Sequence, residues 1–122
     1  MERIKQFSHS VRHALRGLVY AFRYEKNFQN EIGIAILVTI AMFYFDITRG
    51  EMVAILFMII TVLIMELINT VFERVVDILK PRIHPYAKLI KDLMAATVLI
   101  TSIGAVVIGL IIFYPYVMER FC

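Results

Sequence analysis

Apolar residues gather in three runs, Ile32 to Phe45, Met52 to Met65 and Leu93 to Met118, the last interrupted by Pro115. The first two are short against the roughly 20 residues a helix needs to cross ~30 Å of hydrocarbon, but both extend through their flanks, so the pattern predicts three transmembrane helices. Ahead of them Ile4, Phe7, Val11, Ala14, Leu15, Leu18, Ala21 and Phe22 recur at spacings of three and four, the period of one helical face. Lys5, Arg12, Arg16 and Arg23 fall in a stripe about 40° wide on a flank well away from that face. An amphipathic helix lying on anionic lipid is expected, with a soluble helix docked on the bundle as the alternative. Asp46-Ile-Thr-Arg-Gly-Glu51 predicts a tight polar turn, and Lys80-Pro-Arg-Ile-His-Pro-Tyr86, with two prolines, predicts a break before the third span. The chain therefore divides into an amphipathic helix and entry over 1–30, a first span over 31–48, a second span with its cytoplasmic extension over 51–79, and a lead-in and third span over 87–118.

Composition excludes a freely soluble enzyme: 61% of the 122 residues are hydrophobic, far above a soluble domain. Charge is still 19% of the chain, and its distribution says more than the net +3. Six of the 13 Lys and Arg residues lie in 1–31 and five in 74–92, leaving Arg49 in the first turn and Arg120 in the tail. The positive-inside rule then puts the N-terminus and the second connection in the cytoplasm and the C-terminus outside. The first 31 residues carry scattered basic side chains and no unbroken apolar core, so no secretory signal is expected. The single cysteine, Cys122, permits no intramolecular disulfide and no cysteine-based zinc site. Five scattered glycines form no phosphate-binding loop, and no metalloprotease, serine-hydrolase or EF-hand pattern occurs. Nucleic-acid binding is not expected, because the basic residues sit where anionic headgroups account for them.

The acids are more informative. If the second span enters the membrane near Glu51, Glu66 lies about 22 Å down, roughly 7 to 8 Å inside the inner edge of the core, with Glu73 at the edge and Asp77 beyond it. Glu66, Asn69, Glu73 and Asp77 share one polar stripe within about 80° on an otherwise apolar helix. Lys91 and Asp92 precede the third span at the same depth, and Glu25 and Glu31 reach it from the N-terminal side. Continuing the wheel of the amphipathic helix puts Glu25 on the apolar arc, where a carboxylate is costly without a partner. An ion-pair network that only packs helices, such as Glu73 with Lys91, is one reading. Several acids at this depth cost more than packing requires, which favours a functional site.

Clustered carboxylates without His or Cys ligands suit a hard cation, and Mg²⁺ usually takes one or two carboxylates together with substrate phosphates and water. A carboxylate at headgroup depth is well placed to accept a proton from a lipid hydroxyl. His9, His13 and His84 are read as solvated or interfacial side chains.

Met65-Glu-Leu-Ile-Asn-Thr-Val-Phe-Glu-Arg-Val-Val-Asp77 resembles the signature Glu-x-x-Asn-Thr/Ser-x-x-Glu-x-x-x-Asp of the small bacterial integral-membrane diacylglycerol kinases and undecaprenol kinases. Glu25-Lys-Asn-Phe-Gln-Asn-Glu31 and His84-Pro-Tyr-Ala-Lys-Leu-Ile-Lys-Asp92 are also similar to segments of that family. The resemblance implies a single all-α membrane kinase domain, an N-terminal interfacial helix plus three transmembrane helices, assembled as a homotrimeric bundle with sites shared between subunits in the bacterial inner membrane. It implies ATP as phosphate donor, Glu66 as general base, and Mg²⁺ held by Glu25 and Glu73. It further implies that Asn69, Lys91 and Asp92 position the nucleotide, with Glu31, Asp77 and Ala95 in supporting or lipid-contacting roles. Phosphoryl transfer needs mainly positioning and neutralised charge, which such a set supplies.

Leu93-Met-Ala-Ala96, Asn27-Phe28 and His84-Pro85 with Lys88 are closer to the polyprenol-directed branch, so undecaprenol is favoured over diacylglycerol as acceptor. An Arg and a Tyr that hold ATP in some relatives fall on Gln6 and His13 here. Two readings from other classes stay open on the residues alone: a small proton-coupled transporter, since relays also use intramembrane acids, and a non-catalytic membrane assembly protein. The apolar run Ile32 to Phe45 carries no acid, which weighs against the transporter.

Overall fold

The computed structural model describes residues 1–122, apart from the side chain of Ile83. Helix α1 is Glu2–Tyr24 and α2 is Lys26–Phe45; helical backbone then runs from Arg49 to Phe121 as two arms, α3 (Arg49–Arg82) and α4 (His84–Phe121). Among the described residues there is no strand.

The break between α1 and α2 falls on Glu25, whose extended backbone (φ −105°, ψ 107°) closes one helix and opens the next. The last carbonyls of a helix lack intrahelical donors. Gln29 supplies them, its Nε2 donating to Phe22 O at 2.8 Å and to Arg23 O at 3.1 Å. The amphipathic periodicity therefore stops at Tyr24, and Glu25 sits at an elbow instead of on the apolar arc of a continuing helix. Apolar α2 begins at Lys26, ahead of the expected start at 31, because its first turn is polar and a hydropathy pattern does not register it.

The turn expected over 46–51 is present. Asp46 closes α2 in the left-handed region (φ 50°), and Thr48 opens α3 with a capping box, in which Glu51 N–H donates to Thr48 Oγ1 and Thr48 N–H donates to Glu51. Two of the orphan donors at the head of α3 are thereby satisfied.

The expected break over 80–86 takes a different form, since the backbone stays helical there and the direction nevertheless reverses. A straight helix of 73 residues would be about 110 Å long, yet Tyr116 donates to Glu51 and Lys91 pairs with Asp77. The two arms thus run antiparallel. Pro81 and Pro85 remove the N–H donors that would reach the carbonyls of Asp77 and Pro81, weakening the ladder twice on one side. Pro115 likewise lies inside α4, which continues to Phe121.

Helices α2, α3 and α4 are each long and apolar enough to cross a membrane. A small core of Met42, Ile47, Ile55 and Ile112 joins them near the first turn. Most other large apolar side chains, among them Phe43, Phe57, Ile100 and Ile111, point outward, as expected where the surrounding solvent is lipid. Thr39, Thr61 and Thr101 donate their hydroxyls to carbonyls four residues back, so these polar groups are satisfied within the helices.

Candidate active site

Glu66 is 3% exposed and Asn69 7%, and they are the buried polar residues among those described. Both arise from the α3 stripe: positions 66, 69 and 73 return to one side of the helix after one and two turns. Asn69 Nδ2 donates to Glu73 Oε1 at 3.3 Å, which fixes the amide and leaves the carboxylate's other oxygen available. Thr70 returns its hydroxyl to Glu66 O at 3.0 Å, so it does not engage the Glu66 carboxyl.

The elbow at Glu25 and the first turns of α2 bring further acids to the same place. Glu25 and Glu73 lie within range of the Glu66 charge, and so does Glu31. Glu31 Oε2 is buried and has no hydrogen-bond partner. Asn27, in the first turn of α2, stands beside the Glu66 carboxyl. The partner that Glu25 requires is Arg74: its Nη2 lies 2.5 Å from Glu25 Oε1, joining the elbow to α3. Tyr20 of α1 faces the same guanidinium.

Other residues singled out from the sequence pair elsewhere. Lys91 Nζ is 2.6 Å from Asp77 Oδ1, bridging α4 to α3, so the packing pair is Lys91 with Asp77 and not Lys91 with Glu73. Lys91 meets α3 at Asp77, one helical turn beyond Glu73 and closer to the bend between the arms. Asp92 faces outward and pairs with Lys88 one turn earlier at 3.6 Å, and Ala95 is exposed. Among the described residues no hydrogen bond or ion pair joins Lys91 or Asp92 to Glu66, Asn69 or Glu73.

Arg74 and Asn27 were not identified as site residues from the sequence. Arg74 had counted only toward the basic charge of the second connection. Its position directly after Glu73, a cation inside an acidic stripe, was the available signal. Asn27 is polar where α2 turns apolar, but nothing in the pattern aims it at a residue 39 positions away.

Among the described residues, no three His, Cys, Asp or Glu side chains are grouped as a preformed metal cage. Mg²⁺ is generally held by one or two carboxylates with the remaining ligands from phosphates and water. Glu25 and Glu73, both within range of the Glu66 charge, carry the hard oxygens that such a donor set uses. From Glu31 an apolar cleft of about 390 Å³ runs between α2, α3 and α4 past Val38, Ile59 and Val62 to Phe113. Glu31 joins the carboxylate cluster to that cleft, an arrangement that can serve a molecule with one polar end and a long apolar body.

Comparison with known proteins points the same way. The sequence profile of the family described as prokaryotic diacylglycerol kinase matches residues 12–113. The undecaprenol kinase of Bacillus subtilis is 35% identical over 112 residues, covering 92% of this chain and 91% of that protein. A diacylglycerol kinase of Synechocystis is 33% identical over 103 residues, covering 82% of this chain and 58% of the relative. A diacylglycerol kinase of Pseudomonas aeruginosa is 27% identical over 112 residues, covering 87% and 91% respectively.

Proposed function

Because the chain belongs to the prokaryotic diacylglycerol kinase family, we propose that this lipid kinase transfers the γ-phosphate of ATP to the hydroxyl of undecaprenol in preference to diacylglycerol. The observation that carries the reading is the burial of Glu66 within range of Glu25, Glu31 and Glu73, with Glu31 in turn lining an apolar cleft. The acceptor preference is supported by the undecaprenol kinase relative, aligned over nearly the whole chain, and by Asn27-Phe28, His84-Pro85 with Lys88, and Leu93 to Ala96.

Glu66 is the general base. As the lipid oxygen attacks the γ-phosphorus its proton passes to the Glu66 carboxylate, an O–P bond forms, and the bond to the β-phosphate oxygen breaks to release ADP. Glu25 and Glu73 would hold Mg²⁺, which when bound neutralises phosphate charge. Asn69 orients Glu73, and Lys91 and Asp92 turn from Asp77 and Lys88 to the nucleotide. Glu31 and Asp77 support the site, and Ala95 lies against the lipid. The cleft takes the apolar body of the acceptor and keeps its hydroxyl at the depth of Glu66, where positioning alone is worth much of the barrier.

The protein works in the bacterial inner membrane as a homotrimer, with the N-terminus and site toward the cytoplasm and the C-terminus outside. Outward-facing apolar side chains on all three spans suit them to the bilayer, and exposed Ile4, Phe7, Leu15 and Phe22 suit α1 to the membrane surface. Purified protein offered undecaprenol and diacylglycerol side by side with labelled ATP tests the reading. The expected result is a kcat/KM at least about tenfold higher for undecaprenol, or about 1.4 kcal/mol of differential transition-state binding. Equal rates would remove the preference, and no lipid product with either acceptor would favour a non-catalytic assembly role.

A further inference from the structure

The ion pair at the elbow gives one carboxylate two claimants. Glu25 faces the Arg74 guanidinium at 2.5 Å, yet it is also the carboxylate assigned to the metal. We propose that Arg74 is a phosphate-binding residue held in reserve on Glu25: without nucleotide it neutralises that carboxylate, and once Glu25 is given over to the metal the freed guanidinium turns to the polyphosphate. This inference rests on the assignment of Glu25 to the metal.

Exposure decides which partner moves. The Glu25 side chain is 17% exposed and lies at a backbone break fixed by Gln29, whereas that of Arg74 is 53% exposed and sits on a long, flexible stem. An ion pair half open to solvent is exchanged at little cost. The contact is made through a single nitrogen, Nη2, so the guanidinium keeps unused donors in the fork geometry that matches phosphate oxygens. Charge points the same way. A nucleotide polyphosphate must approach a site that already holds Glu25, Glu31, Glu66 and Glu73, while Lys91 is engaged by Asp77 and Lys88 by Asp92. Arg74 lies on the same helix as Glu73 and reaches across to the elbow, where it pairs with Glu25. Tyr20 of α1 faces the same guanidinium.

The test uses the full-length protein in lipid micelles, as wild type, Arg74→Gln and Arg74→Lys. Binding of Mn²⁺ alone is followed by its paramagnetic signal, and binding of Mg²⁺ with a non-hydrolysable ATP analogue by calorimetry. Arg74→Gln is expected to bind Mn²⁺ more tightly, because the competitor for Glu25 is gone, and the nucleotide complex about tenfold more weakly, because a charge-assisted contact to phosphate is lost. Arg74→Lys should fall between, with the KM for lipid unchanged in both variants. Changes of opposite sign distinguish this role from that of a simple staple, whose removal would weaken both bindings together with thermal stability and would overturn the inference. Nucleotide binding by Arg74→Gln equal to wild type would also overturn it while leaving the kinase reading intact. Wild-type protein that binds no nucleotide would overturn the kinase reading itself.

Discussion

Tyr116 donates its phenol to Glu51 Oε1, the same oxygen that accepts the Thr48 backbone N–H at 2.9 Å. One carboxylate oxygen therefore both caps the head of α3 and ties it to the far end of α4. Tyr116→Phe should lower the melting temperature in detergent, because it removes a donor from a charged acceptor. Glu51→Ala should lower it further, since the capping box is lost as well. Kinase activity at low temperature should persist in Tyr116→Phe, because this pair lies at the opposite end of the bundle from Glu66. Equal melting of wild type and both variants would show that the tie does not contribute.

Replacing the buried Glu66 tests the proposed chemistry directly. Glu66→Gln keeps the shape and most hydrogen bonds of the side chain but cannot take a proton, so kcat should fall by about a hundredfold or more. Nucleotide binding and membrane insertion should be retained. Full activity in labelled-phosphate transfer would exclude Glu66 as the base.

Asn27 stands beside that carboxyl, and on the proposed reading it positions Glu66. Asn27→Ala should cost about tenfold in kcat through misorientation of Glu66, with the KM for Mg·ATP little changed. Asn27→Asp should be worse, since it adds another negative charge beside Glu66. A variant in which KM rises and kcat does not would argue instead for direct contact with a substrate.

Gln29 holds the elbow by accepting the task of two missing helical donors. Gln29→Ala should destabilise the α1 end by ~1 kcal/mol and speed proteolysis near Tyr24 and Glu25. Because Glu25 depends on that elbow, the KM for Mg·ATP should rise in parallel. Unchanged cleavage kinetics would mean that other contacts set the break.

These residues also mark how far the sequence could be read. Hydropathy located the three spans and the polar turn at Asp46 to Glu51, because lipid-facing helices must be apolar nearly all round and their connections need not be. The Glu66, Asn69 and Glu73 stripe was visible because all three belong to one helix, where periodicity converts spacing into facing. The contact of Arg74 with Glu25 joins residues 49 positions apart, and no local pattern encodes such a pairing. The proline segment misled for a related reason: two prolines signal an interrupted ladder, but a ladder can lose two donors and bend while its neighbours stay helical. The amphipathic wheel marks Glu25 as a misplaced acid, but the stop there rests on the Gln29 contacts to Phe22 and Arg23, which periodicity does not encode.

The outward-facing apolar side chains of α2, α3 and α4 have a consequence for supply. The phase that solvates these helices is the phase in which a lipid acceptor is dissolved, so solvent and reactant reservoir are one. An acceptor approaching through the bilayer need not be drawn out into water, and its encounter rate is set by surface density in two dimensions. Diluting the membrane with inert lipid should therefore slow the reaction even when the amounts of enzyme, ATP and acceptor in the vessel are held constant.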